Sequence, residues 1–144
     1  MELARKDADA LTSEKDSEEK SALLATLGIP EGGTVPPALQ TEFKQLEEAQ
    51  KRRATRSLRD GIDRILVDLM SLFRDVLTIQ LGAKAELVNS ELKNHIEDMA
   101  STSLASDSIK KLEALAEARK RIDSNVRDLM VLESLAMALR RRAL

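Results

Sequence analysis

Few side chains in this 144-residue chain have the type and spacing that chemistry would need. There is one histidine, His95, and there is no cysteine, so neither a thiolate nucleophile nor a histidine–cysteine metal site can form. A metal-binding or catalytic histidine needs partners, and the sequence offers no second one. We therefore predict that His95 is an ordinary surface residue.

Three other patterns associated with catalysis or cofactors are incomplete. The glycines of residues 28–33 are not followed by Lys-Ser/Thr and no strand precedes them, so a phosphate-binding loop is excluded. The serines have no neighbouring base that would make them nucleophiles. The carboxylates at Asp60, Asp63, Asp68 and Asp75 share a helical segment with Arg64 and Arg74, which we interpret as ion pairs on a helix surface. The sequence predicts no catalysis, no cofactor and no metal.

One cluster of charge is dense enough to be a contact site. Five cations occur within nine residues without a carboxylate, and we take them as candidate partner or phosphate contacts: Lys51, Arg52, Arg53, Arg56 and Arg59. Such a basic ridge can follow phosphates or bind an acidic protein surface. Most charge runs are instead solvated or paired within the chain, and we favour that interpretation over a protein partner, and a protein partner over nucleic acid. Aromatic side chains for base stacking are limited to Phe43 and Phe73, which disfavours single-strand binding.

The elements that must position these residues are helices. Leu, Ala, Glu, Lys and Arg dominate, β-branched runs are absent, and the composition predicts an all-α fold. Residues 1–50 carry 5 basic and 11 acidic side chains, whereas residues 51–144 carry 18 and 14. We expect an acidic helical segment over 1–27, a Pro/Gly linker over 28–37 and a helical domain over 38–144, the whole forming a compact bundle of four to five helices.

Local signals suggest where the helices begin and end. Gly28 suits the position after a helix end, and Gly82 should end a second helix that begins near Pro37. Because that helix would be unusually long, we expect a bend or break between Arg53 and Gly61. Further helices are predicted over Glu91–Ala100 (capped by Ser90 or Asn89), Ser108–Ile122 (capped by Asp107) and Val126–Arg141. The apolar stripe of the last helix is broad, which predicts the most buried position in the bundle.

No window reaches the roughly 18 apolar residues that cross a bilayer, and the N-terminal residues lack the apolar core of a signal peptide. The sequence therefore predicts a soluble, cytoplasmic protein with no membrane partner.

Two blocks of the sequence resemble a known family. Residues 51–89 and 112–139 are similar to the C-terminal region of the bacterial DNA polymerase III delta-prime subunit, in its high-GC Gram-positive form. The resemblance covers the chain from about residue 20 onward. The matching motifs are Ala54-Thr55-Arg56, Arg59-Asp60, Asp63-Arg64, Asp68-Leu69, Phe73-Arg74-Asp75-Val76-Leu77, Glu86–Asn89, Asn125-Val126 and Leu132-Glu133. Arg127 and Asp128 stand where the family often has a proline.

The resemblance implies a collar domain, the helical module through which clamp-loader subunits assemble into the ring that loads the sliding clamp during replication. The partners would be the other clamp-loader subunits, with DNA reached only through the complex. The AAA+ module that precedes the collar in this family is absent, so we expect a fragment or a separate reading frame without catalysis of its own. We expect contact faces on the outer positions of helices 58–77 and 126–139, and burial of Leu72, Phe73, Val76 and Leu135. The alternative is a small nucleic-acid-binding helical protein that uses the Lys51–Arg59 ridge.

Overall fold

A computed structural model describes residues 2–30, 35–124 and 126–140, and within these ranges the chain forms helices and no strands. Five α-helices follow one another: α1 (Glu2–Thr26), α2 (Gln40–Gln80), α3 (Lys93–Ser101), α4 (Ala105–Asp123) and α5 (Asp128–Leu139). Short 3-10 turns at Pro37–Leu39 and Ser90–Leu92 precede α2 and α3. The prediction of an all-α fold is confirmed.

The chain divides into two compact units, Met1–Gly61 and Ile62–Leu144. The first contains α1 and the start of α2, and the second contains the rest of α2 with α3, α4 and α5. The domain limits expected at residues 28 and 38 stay a prediction.

Helix α2 runs through 41 residues without interruption, so the break expected between Arg53 and Gly61 is absent. The hydroxyl of Thr55 donates a hydrogen bond to the Lys51 carbonyl at 2.9 Å, one turn earlier in the helix. Its polar group is therefore satisfied inside the helix. A single interior glycine costs only about 1 kcal/mol relative to alanine, which a helix of this length tolerates.

Glycines end α1 and α2 as their positions predict. Gly28 and Gly82 have φ values of 68° and 62°, a left-handed conformation that side chains disfavour. After α2, the N–H of Gly82 donates to the Ile79 carbonyl and that of Ala83 to the Thr78 carbonyl, both at 3.0 Å. This pair of bonds is a Schellman motif, and it satisfies carbonyls that the helix leaves open.

The predicted N-terminal caps of α3 and α4 are wrong. No side-chain cap bond is made at Asn89, which precedes the 3-10 turn, or at Leu104, which precedes α4. Asn89 instead donates its side-chain amide to Asp75 and Ser71, so a tertiary contact replaces the local one. Asp107 lies inside the first turn of α4, where its negative charge interacts favourably with the helix dipole.

The core of the second unit is built from one face of each of its helices. Among the predicted core residues, Phe73, Val76 and Leu135 are buried, whereas Leu72 is only half-buried. The ammonium group of Lys111 lies 5.0 Å from the centroid of the Phe73 ring and covers it. The buried apolar residues of this unit are Ile62, Leu66, Phe73, Val76, Ile96, Leu115, Ala118, Ile122, Val131 and Leu135.

Helix α5 is not the most buried helix, contrary to the expectation from its broad apolar stripe. It packs against α4 and buries only Val131 and Leu135. Helix α4 has the larger buried face, with Ser108, Leu115, Ala118 and Ile122. An apolar stripe wider than one contact face leaves its remainder in solvent when no further helix covers it. None of the described helices is both long and apolar enough to cross a membrane.

Candidate functional site

Arg53, the central cation of the basic ridge, is held within the first unit. Its two terminal nitrogens each donate to one carboxylate oxygen of Glu19 at 2.7 Å, and Asp16 lies 3.9 Å away. The hydrogen bonds from Arg53 keep the pKa of Glu19 below its ordinary value. Lys20 and Glu47 add a second ion pair between α1 and α2, at 3.3 Å. Ion pairs therefore join the acidic helix α1 to α2, and the guanidinium group of Arg53 is already paired with Glu19.

The remaining four cations of the ridge differ in exposure. Arg52 is exposed and reaches Glu48, one turn away, at 4.0 Å. Lys51 and Arg56 are exposed and make no ion pair within the part of the chain that the structure describes. Arg59 is half-buried. The cations are thus not one uniform ridge: Arg53 is exposed but paired with α1, Arg59 is half-buried, and the exposed cations that make no pair with the described residues of α1 are Lys51, Arg52 and Arg56.

Asp75 forms a buried polar clamp that the sequence did not suggest. Its carboxylate is 0% exposed and accepts hydrogen bonds from the N–H groups of Val88 (3.1 Å) and Asn89 (2.8 Å). The side-chain amide of Asn89 donates at 2.9 Å and Arg74 at 2.8 Å. Arg74 also donates to the Glu86 carbonyl at 3.0 Å. Asp75 therefore fixes the segment after α2. It does pair with Arg74 of its own helix, as predicted, but the prediction that this carboxylate lies on the helix surface is wrong.

Two opposing effects set the pKa of Asp75. Burial alone raises the pKa, because it disfavours the charged form. The hydrogen bonds from Asn89, Val88 and Arg74 favour the charged form, and together they outweigh burial. The pKa of Asp75 consequently lies below its ordinary value, and the group is a carboxylate at neutral pH. A general acid would need the opposite shift, so this geometry indicates a structural role.

Asp63 also has a distant partner rather than a neighbour on its own helix. Arg119 of α4 donates to both carboxylate oxygens of Asp63, at 2.6 Å from Nε and 3.0 Å from a terminal nitrogen. These hydrogen bonds lower the pKa of Asp63 and raise that of Arg119. The pair joins α2 to α4 inside the second unit, where the sequence interpretation had placed Asp63 with Arg64.

A third polar contact joins the end of α2 to the start of α4. The amide nitrogen of Gln80 donates to the carbonyl (2.9 Å) and the hydroxyl (3.0 Å) of Ser103. The amide oxygen of Gln80 accepts from the buried hydroxyl of Ser108 at 2.8 Å. All these contacts satisfy polar groups in the fold, and their arrangement is structural.

His95 lies exposed on α3, as predicted. No cluster of histidine, aspartate and glutamate able to hold a metal ion occurs among the described residues. A shallow groove between α1 and α2 is lined by Glu19, Leu23 and Leu46 and is open to solvent.

The outward face of α5, which we call the α5 outer face, carries apolar side chains that the fold does not cover. It comprises Leu129, Met130, Glu133, Ala136 and Met137. Leu129, Met130 and Met137 are 54%, 59% and 69% exposed. These side chains recur at steps of three and four, so they form one surface along a little more than two turns of helix. Contiguous exposed apolar surface is a feature that many protein-interaction sites share.

Comparison of the chain with protein-family models, with curated proteins and with solved structures finds no match.

Proposed function

We propose that this chain is a helical assembly module that binds other proteins through the α5 outer face. The observation that carries the proposal is the exposure of Leu129, Met130 and Met137 on one side of a helix whose opposite side is buried in the fold. Covering these side chains with a partner would remove apolar surface from water, the main favourable term in most protein association.

The sequence resemblance supports a specific kind of partner. The blocks over residues 51–89 and 112–139 are similar to the delta-prime collar region, whose role is assembly rather than catalysis. We propose that the chain is a collar fragment of a delta-prime subunit and that its partners are the other clamp-loader subunits, in the bacterial cytoplasm where replication takes place. The α5 outer face is then the part of the collar that contacts a neighbouring subunit.

Binding to clamp-loader subunits tests the proposal directly. The purified chain is mixed with each subunit of the clamp loader of a high-GC Gram-positive bacterium, and complexes are detected by size-exclusion chromatography with light scattering. We expect at least one stable complex, and Met137→Ser should weaken it about tenfold or more, as for an apolar interface anchor. Leu81→Ser is the matched control, because Leu81 is 65% exposed but lies outside α5.

Two results would contradict the proposal. One is a wild-type chain that binds no clamp-loader subunit. The other is a complex that Leu81→Ser weakens as much as Met137→Ser does, which would remove the special role of the α5 outer face.

A second candidate function is nucleic-acid binding through the basic ridge, and the exposure of Lys51 and Arg56 favours it. The engagement of Arg53 by Glu19 argues against it, because the central cation is already paired. The wild-type chain and a Lys51, Arg52 and Arg56 triple alanine variant are titrated with duplex DNA at low and high salt. This function requires affinity that falls steeply with salt and is lost in the variant.

A further inference from the structure

We infer that the α5 outer face receives an apolar surface of another protein, and that this surface carries one arginine at its centre, which pairs with Glu133. The inference rests on the proposed assembly function and adds the chemistry of the partner.

Glu133 occupies the middle of the α5 outer face. Leu129 and Met130 lie one turn before it, and Ala136 and Met137 lie one turn after it. Glu133 is exposed, and within the described part of the chain it makes no ion pair or hydrogen bond. A carboxylate at this position is surrounded by apolar side chains, so a partner that covers them also covers the charge.

A partner that covers Glu133 must supply a group that compensates its charge. A carboxylate removed from water without a cation or hydrogen-bond donors is strongly unfavourable. Arginine meets the requirement best, because its planar fork binds a carboxylate through two hydrogen bonds and is weakly hydrated for a cation. Arginine is also enriched in protein interfaces, whereas lysine is depleted.

A second copy of this chain does not supply the arginine. If the α5 outer faces of two copies packed against each other about an axis through their centres, Glu133 would meet Glu133, and two carboxylates would be buried together.

Charge reversal at Glu133 tests the inference. Affinities of the full chain for each purified clamp-loader subunit are measured by calorimetry for wild type, Glu133→Arg and Glu133→Gln. We expect a loss of about a hundredfold for Glu133→Arg, because two cations would then be buried together. Glu133→Gln should lose less, about tenfold, since the amide still accepts a hydrogen bond. Glu113→Arg, an exposed reversal on α4, should change little.

The methionines provide a second readout that does not depend on a variant. With methyl-labelled methionine, the Met130 and Met137 signals should shift when the partner is added. Met70 and Met99 are half-buried inside the fold, and their signals should stay in place. Shifts at Met70 and Met99 alone would locate the contact elsewhere and overturn the inference.

The outcomes separate this inference from the function on which it rests. Binding that Glu133→Arg leaves within threefold of wild type overturns the arginine partner but keeps the assembly function. A wild-type chain that binds no clamp-loader subunit overturns both. A wild-type homodimer that Glu133→Arg dissociates also overturns the inference, because the occupant is then a second copy.

Discussion

Replacing Asp75 with alanine should destabilise the second unit more than any other exchange of a single carboxylate in it. The change removes the acceptor for the N–H groups of Val88 and Asn89, which donate at 3.1 and 2.8 Å. A hydrogen bond to a charged group contributes about 1.5–3 kcal/mol to stability, and the lower value applies here because Val88 is exposed and Asn89 half-buried. Removing both bonds gives a loss of about 3 kcal/mol in the free energy of unfolding. Asp75→Asn keeps one acceptor oxygen and should lose about half as much.

Urea unfolding followed by circular dichroism at 222 nm measures this loss, because the chain has no tryptophan or tyrosine for fluorescence. With a denaturant slope of about 1.5 kcal/mol per molar, the midpoint should fall by about 2 M. Asp68→Ala is the control, since Asp68 is exposed on the same helix two turns earlier. It should change the free energy of unfolding by less than about 0.5 kcal/mol. Equal effects of the two substitutions would refute the clamp.

The same carboxylate predicts a dependence on pH. Its pKa is lower in the folded chain than the ordinary value of 3.8, so it contributes stability above that pH. This contribution is lost as the pH falls through the lowered, folded-state pKa. Asp75→Asn has no such group, and its stability should fall less between pH 5 and pH 2 than that of wild type. Parallel curves for the two proteins would contradict the assignment.

Substitutions at three further positions have expected outcomes. Gly61→Ala should raise the free energy of unfolding by about 0.5–1 kcal/mol, because Gly61 is inside α2 and a Cβ there meets no atom within 4 Å. Gly82→Ala should lower the free energy of unfolding by about 1 kcal/mol, because φ at Gly82 is +62°. Urea unfolding measures both glycine variants, and a change of the same sign in the two would contradict the argument. Arg119→Ala should raise the pKa of Asp63 toward its ordinary value in a carboxyl NMR titration, and Arg119→Lys should restore part of the shift, since lysine cannot form the two-point contact. An unchanged pKa in Arg119→Ala would show that another group perturbs Asp63.

The features that the sequence predicted correctly are those determined by neighbouring residues. Gly28 and Gly82 end their helices because the left-handed conformation is a local property of glycine. Asp63 pairs with Arg119, 56 residues away, and Asp75 binds Val88 and Asn89, 13 and 14 residues away, in addition to its neighbour Arg74. Helical spacing reveals only the contact with Arg74. Asn89 has the type and place of a helix cap, but its bond to Asp75 competes with that role.

Helix α5 illustrates a different limit of sequence reasoning. The composition of α5 shows how many apolar side chains the helix carries. It does not show whether residues of the same chain or of a partner protein cover them. Val131 and Leu135 contact the fold, and Leu129 and Met137 do not, although all four are large and apolar. The same ambiguity applies to the basic ridge, where the composition could not tell that Glu19 engages Arg53.

Two sets of hydrogen bonds, one at Asp75 and one at Gln80 in the last turns of α2, affect how the second unit opens. Asp75 binds Val88 and Asn89, and Gln80 binds Ser103 and Ser108, so the segment over 89–103 is held at both ends by the last turns of α2. This segment contains α3. It gains little conformational freedom if only one of the two sets of hydrogen bonds breaks, because the other set still restricts it. We expect its amide protons to exchange together as one cooperative unit, at a rate set by simultaneous release of both sets.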